Sequence, residues 1–153
     1  DGLDYTTSRI ELEGFTVAFP KSPNLQQESI PSDDGVVPMS IYYTSYDDLA
    51  TSFYASTSTY PQAVVDRKSP YDFLDDVVVG MIGQDKALVE KRTISMGTIP
   101  GYEIRLSVYN GMMLMRSMVF LEDDVLTQIT FFAPAYIHFH PKSDEFFQAF
   151  DLN

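Results

Sequence analysis

His138 and His140 are the only two histidines, and in an extended segment their i, i+2 spacing projects both rings to the same side, a pattern compatible with two metal ligands. A metal centre needs at least a third ligand, and none is identifiable, so the pair is read as a ligand or partner contact that titrates near neutral pH. Their segment, Pro134-Ala-Tyr-Ile-His-Phe-His-Pro141, also carries Tyr136, whose ring combines a large contact area with a polar tip. Arg116 completes the set of candidate binding residues. It falls among Met112, Leu114, Met118 and Phe120, where a lone guanidinium is costly to bury, so it needs a carboxylate partner or a path to solvent. Its functional reading is a ligand-binding arginine in a groove on a sheet face.

Other chemistries find less support. Asp33-Asp34, Asp47-Asp48, Asp75-Asp76 and Glu122-Asp123-Asp124 cluster carboxylates as hard cations require, but none falls in the spaced frame of an EF-hand loop. Each sits where a turn or a helix start already favours Asp. The Ser and Thr residues include no Gly-x-Ser-x-Gly elbow, and no Gly-x-Gly-x-x-Gly or Walker loop is present. With no Cys, thiolate catalysis, disulfides and Cys-ligated zinc are excluded. The expectation is a protein that is not an enzyme and carries no cofactor.

The elements that must position these residues follow from periodicity and turn chemistry. Ile10, Leu12, Phe15, Val17 and Phe19 alternate around Gly14 as a strand or tight hairpin ended by Pro20. Residues 20–38, with four prolines among Ser, Asn, Asp and Gly, predict a mobile surface loop. Met39–Tyr46 and Phe53–Tyr60 are rich in β-formers, and the second alternates Tyr54, Ser56, Ser58 and Tyr60 against Phe53, Ala55, Thr57 and Thr59. Ser69-Pro70 supplies an N-cap and a first-turn proline, with Asp72, Asp75 and Asp76 placed to complement the helix dipole. Phe73, Leu74, Val77, Val78, Met81 and Ile82 recur at helical spacing up to a stop at Gly83.

Strands return from Ala87, and Asn110-Gly111 predicts a type I′ hairpin between Tyr102–Tyr109 and Met112–Leu121. Met112–Leu121 is apolar on both faces, which requires cover on both sides and predicts a central sheet between layers. A second turn at Asp123-Asp124 leads to a strand over Val125–Ala133. Ser143, Asp144 and Glu145 open a closing helix whose Phe146, Phe147 and Phe150 dock on the sheet.

Composition bounds the class. A chain of 153 residues matches one domain, taken as 1–153, that buries roughly 70% of its unfolded surface. Hydrophobic residues at 44% and aromatics at 14% are far from a disordered composition. Ten basic against 22 acidic residues leave a net charge of −12 spread over both halves, which repels nucleic acid and anionic lipid; it reads as a solubilising surface, the sharper alternative being a surface that attracts cations or a basic protein. No run of about 18 apolar residues is present to span a bilayer, and no signal peptide is recognisable. The chain opens at Asp1 without an initiator Met, as a mature form or a trimmed piece would.

Taken in order, these elements resemble the PsbP-like superfamily, which includes PsbP, envelope proteins of the DcrB and LpqN type, and a nuclear Ran-GTPase-binding family. The resemblance rests on Gly14-Phe-Thr-Val-Ala-Phe-Pro20, Tyr60-Pro61 before the first helix, Ile99-Pro-Gly-Tyr-Glu103 leading a strand, the hairpin over 112–132, and the closing Phe147-x-x-Phe-x-Leu152. It implies an α+β fold with a central antiparallel sheet sandwiched between helices. It also implies a non-enzymatic binding or assembly role, exported or in the cell envelope, in the periplasm or held by a lipid anchor from a segment before Asp1. A protein partner is expected, with the aromatic stretches 42–60 and 134–141 as contact surfaces. The alternative is a module that binds a small molecule or metal ion through His138, His140 or Arg116, and an enzyme ranks third. The segment 134–141 is longer and more aromatic than the family's usual connection to the last helix.

Overall fold

A computed structural model describes residues 8–12, 14–137 and 141–152. Near the N-terminus, β1 (Ser8–Leu12) and β2 (Phe15–Phe19) form the expected hairpin around Gly14, whose φ of +89° suits a residue without Cβ. The next four strands are β3 (Asn24–Ser32), β4 (Gly35–Tyr46), β5 (Thr51–Thr59) and, after two helices, β6 (Lys86–Met96). They are followed by β7 (Ile99–Val108), β8 (Met113–Glu122), β9 (Val125–Pro134) and the short β10 (Asp151–Leu152). Helices α1 (Gln62–Val65), α2 (Pro70–Ile82) and α3 (Pro141–Gln148) complete the set.

Seven strands make one antiparallel sheet in the order β3-β4-β5-β9-β8-β7-β6, and β1-β2-β10 make a smaller one. The fold is therefore mostly β. Strand β8 lies inside the large sheet and is covered on both faces, as its two-sided apolar sequence requires. Met118 and Phe120 join one core, while Met115, Val119 and Leu121 join the other.

The two covers differ from the expected pair of helical layers. On one face, α2 packs over β6, β7 and β8 through Phe73, Leu74 and Val78. Its start is capped as predicted, since the Asp72 amide donates to Ser69 Oγ at 3.2 Å. On the other face the cover is mainly the three-stranded sheet, joined by the eight-residue α3. All five residues of β2 are buried there, and Phe146, Phe147 and Phe150 dock as expected. Rings from both chain ends meet in this core, Phe15 with Phe150 at 6.0 Å between centroids and Phe19 with Phe146 at 5.6 Å.

The predicted loop over 20–38 is instead most of a β-hairpin, β3 and the start of β4, turning at Asp33-Asp34. Its prolines do not forbid it. β3 is an edge strand, and Pro38 lies just before Met39, where β4 begins to pair with β5, so neither proline interrupts a ladder on both sides. The β-rich stretches Met39–Tyr46 and Phe53–Tyr60 are strands as expected, within β4 and, as far as Thr59, β5, so the contact surface expected over 42–60 is mostly regular strand rather than loop. The turn after β7 is centred on Asn110-Gly111 as predicted, with Val108 paired to Met113 on either side of it. Asn110 and Gly111 hold positive φ of 56° and 90°, and the Met112 amide donates to the Tyr109 carbonyl at 3.2 Å.

Candidate functional site

Because α2 lies over one side of the sheet, the described residues leave the same face of β4, β5 and β9 open beside it. The result is a groove of about 820 Å³. Its floor carries Met39 and Ile41 from β4, Tyr54, Ser56 and Ser58 from β5, and Leu126, Gln128 and Thr130 from β9. One wall is α2, which contributes Phe73, Val77, Gly80 and Met81. Such a volume with a mainly apolar lining and a few polar groups is typical of ligand sites.

The polar part of the floor is held in place by a small network. Ser117 Oγ, fully buried on β8, donates to the Ile129 carbonyl at 2.9 Å and lies 2.8 Å from Thr130 Oγ1, which also accepts from Gln128 Nε2 at 3.2 Å. Tyr60 closes one end, and burial pushes its phenol above the ordinary value, so it remains an uncharged hydroxyl at neutral pH.

Charges stay at the rim and are paired. Arg67 forms a two-pronged contact with Asp34 at 2.6 and 3.0 Å, tying the turn between α1 and α2 to the tip of the β3–β4 hairpin. Its hydrogen bonds hold the Asp34 carboxyl below the usual carboxylate range. Lys68, just before α2, pairs with Asp76 on the helix through a single contact.

Gly80 is an exposed residue of the groove wall. It sits inside α2, where glycine is unfavourable by about 1 kcal/mol relative to alanine, and a Cβ built on it would meet no atom within 4 Å. Packing among the described residues therefore supplies no reason for a glycine here. The missing side chain leaves open space in the groove wall.

The residues singled out from sequence lie elsewhere. Arg116 is on the opposite face of the sheet, with Nη2 and Nε at 3.0 and 3.1 Å from Glu103 Oε2, Nη1 at 2.8 Å from Asp144, and its guanidinium 4.2 Å above the Phe147 ring. The expectation that it needs a carboxylate partner is met twice. Tyr136 stands in a 3₁₀ turn after β9, 84% exposed, and does not line the groove. His138 and His140 lie outside the described residues. Among the described residues, no three His, Asp or Glu side chains converge as a metal site would require.

Sequence reasoning missed the groove, although two signals were legible. The Tyr54, Ser56, Ser58 face of β5, continued by Tyr60, is too polar for a core and too aromatic for plain solvent, and it lines the groove. Gly80 inside an apolar helix was the second signal.

No protein-family model matches the chain, and no curated protein matches it. Among solved structures, cyanobacterial PsbP (CyanoP) from Synechocystis sp. PCC 6803 is similar over 97% of this chain and 94% of that one, with a TM-score of 0.61 at 14% sequence identity. A protein of unknown function from Pseudomonas aeruginosa, PA94, aligns over 93% of this chain and 94% of its own, with a TM-score of 0.48 at 10% identity. The first likeness shows that the chain has a PsbP-like fold.

Proposed function

We propose that this PsbP-like domain is a non-enzymatic binding protein, and that it binds in the groove between α2 and the open strands β4, β5 and β9. The observation that carries the reading is the groove wall at Gly80, where an internal helix position leaves space that none of the described residues fills. The lining supports binding rather than chemistry. The Gln128 amide and the Thr130 hydroxyl are tied to one another and to Ser117, the Tyr60 phenol is uncharged at neutral pH, and Arg67 and Lys68 at the rim are engaged with Asp34 and Asp76. The reading includes an exported or envelope location, for which fractionation of native cells is the check. Recovery in the cytosolic fraction alone would remove that part.

Nile red, an uncharged dye whose emission rises and shifts to the blue in apolar sites, tests the groove. One-to-one binding to the wild-type protein is expected, with loss of binding in Gly80→Phe at unchanged or higher melting temperature. A dye signal that Gly80→Phe leaves intact would place the binding surface elsewhere.

A further inference from the structure

The groove is an unfilled position in the helical layer of the described residues. α2 lies over β6, β7 and β8, while β4 and β5 present Met39, Ile41 and Tyr54, and β9 presents Gln128 and Thr130, on the same face with no long helix among the described residues above them. Strands spaced by about 4.8 Å make that bare strip roughly 10–15 Å wide. A second helix beside α2, at the usual interaxial distance of about 8–10 Å, has that width.

We propose that the groove receives an amphipathic helix, basic on its outer face, contributed by a partner protein; this rests on the groove being the binding site. Gly80 is the point of closest approach. With Val77 and Met81 three residues before it and one after, it forms a notch in the ridge of α2 that admits a side chain or the backbone of a facing helix. Met39, Met81 and Met115 line the site with flexible, polarisable side chains that adapt to the apolar face of a helix.

Charge selects the outer face of the occupant. Arg67 and Lys68, the cations of the rim, are each held by an acid of this chain, so the rim offers little to an anion. The net charge of −12 remains as the field that an approaching helix meets, and it favours lysine and arginine on the solvent side.

The test uses two fluorescein-labelled peptides of about 18 residues, long enough for roughly five helical turns. Both carry leucine at i, i+3, i+4 and i+7, one with lysine and the other with glutamate on the opposite face. Fluorescence anisotropy of the full chain should show the lysine peptide binding at least about tenfold tighter than the glutamate peptide, weakening as salt is raised. It should displace Nile red, and Gly80→Phe should weaken it by about tenfold or more without lowering the melting temperature. Lysine-peptide binding that survives Gly80→Phe, or that leaves Nile red in place, would overturn the inference as surface attraction alone. Nile red bound in the wild type, lost in Gly80→Phe and displaced by neither peptide would overturn it too, leaving the groove to a small apolar molecule. Failure of the dye as well would remove the groove reading itself.

Discussion

Glu103 is the most demanding residue of the chain, a carboxylate 2% exposed on a strand of the large sheet. Arg105 and Arg116 face one another across β7 and β8, a pairing of like charges that is unfavourable without an anion nearby. Glu103 supplies that anion, bonded to Arg116 and to Arg92 on β6, and Arg116 carries the link on to Asp144 of α3. Replacing Arg116 by Ala leaves Glu103 with Arg92 alone and should cost about 3 kcal/mol, read as a lower urea midpoint. The double change Glu103→Gln with Arg116→Met should recover most of that loss, since a neutral pair has no buried charge to strand. Tyr102 offers a second residue-scale test. Burial first, then its hydrogen bond to Asp75, pushes its phenol from 10.0 up to about 12. An unfolded tyrosine therefore loses its proton before the folded one. The contribution of Tyr102 to stability should be complete below pH 10, fall as pH rises from there, and be gone above about 12. Tyr102→Phe should flatten that alkaline fall in a denaturation series.

At the scale of elements, the stretch Ile99-Pro-Gly-Tyr-Glu103 shows how one strand serves two layers. Tyr102 faces α2 and lies 5.3 Å from the Tyr71 ring, whereas Glu103 points to the ion cluster on the other face. Gly101 lets β7 approach β8, because a Cβ there would sit 2.5 Å from both the Val119 carbonyl oxygen and the Phe120 ring. Gly101→Ala should therefore destabilise by about 1–3 kcal/mol through a shift of the strand or of Phe120, measured by thermal unfolding. Gly80 is the contrasting case, a glycine with open space around it. The cap of α2, its apolar stripe and the turn at Asp123-Asp124 were all legible in sequence, since each depends on residues a few positions apart. The β3–β4 hairpin was not. Strand β3 is exposed along its whole length, so it lacks the alternation that marks a half-buried strand.

At the scale of the whole molecule, the two chain ends share the aromatic core that covers one face of the sheet. Phe146 contacts Phe19 near the start, Phe53 in the middle and Phe147 beside it, with no exposed surface of its own. Phe146→Ala should cost about 3–5 kcal/mol and lower the unfolding midpoint for the whole sheet rather than fray α3 alone, visible as one cooperative transition. A separate early transition of the C-terminal segment would show that the two ends are not coupled. The sequence by itself determined the two-sided strand β8, the helix α2 with its cap, and the docking aromatics of α3, because apolar periodicity and capping act over a few residues. Only the tertiary structure decided the strand order, the partners of Glu103 and the bare strip beside α2. These depend on which distant strands pair and on how far one helix extends across seven strands, and local periodicity records neither.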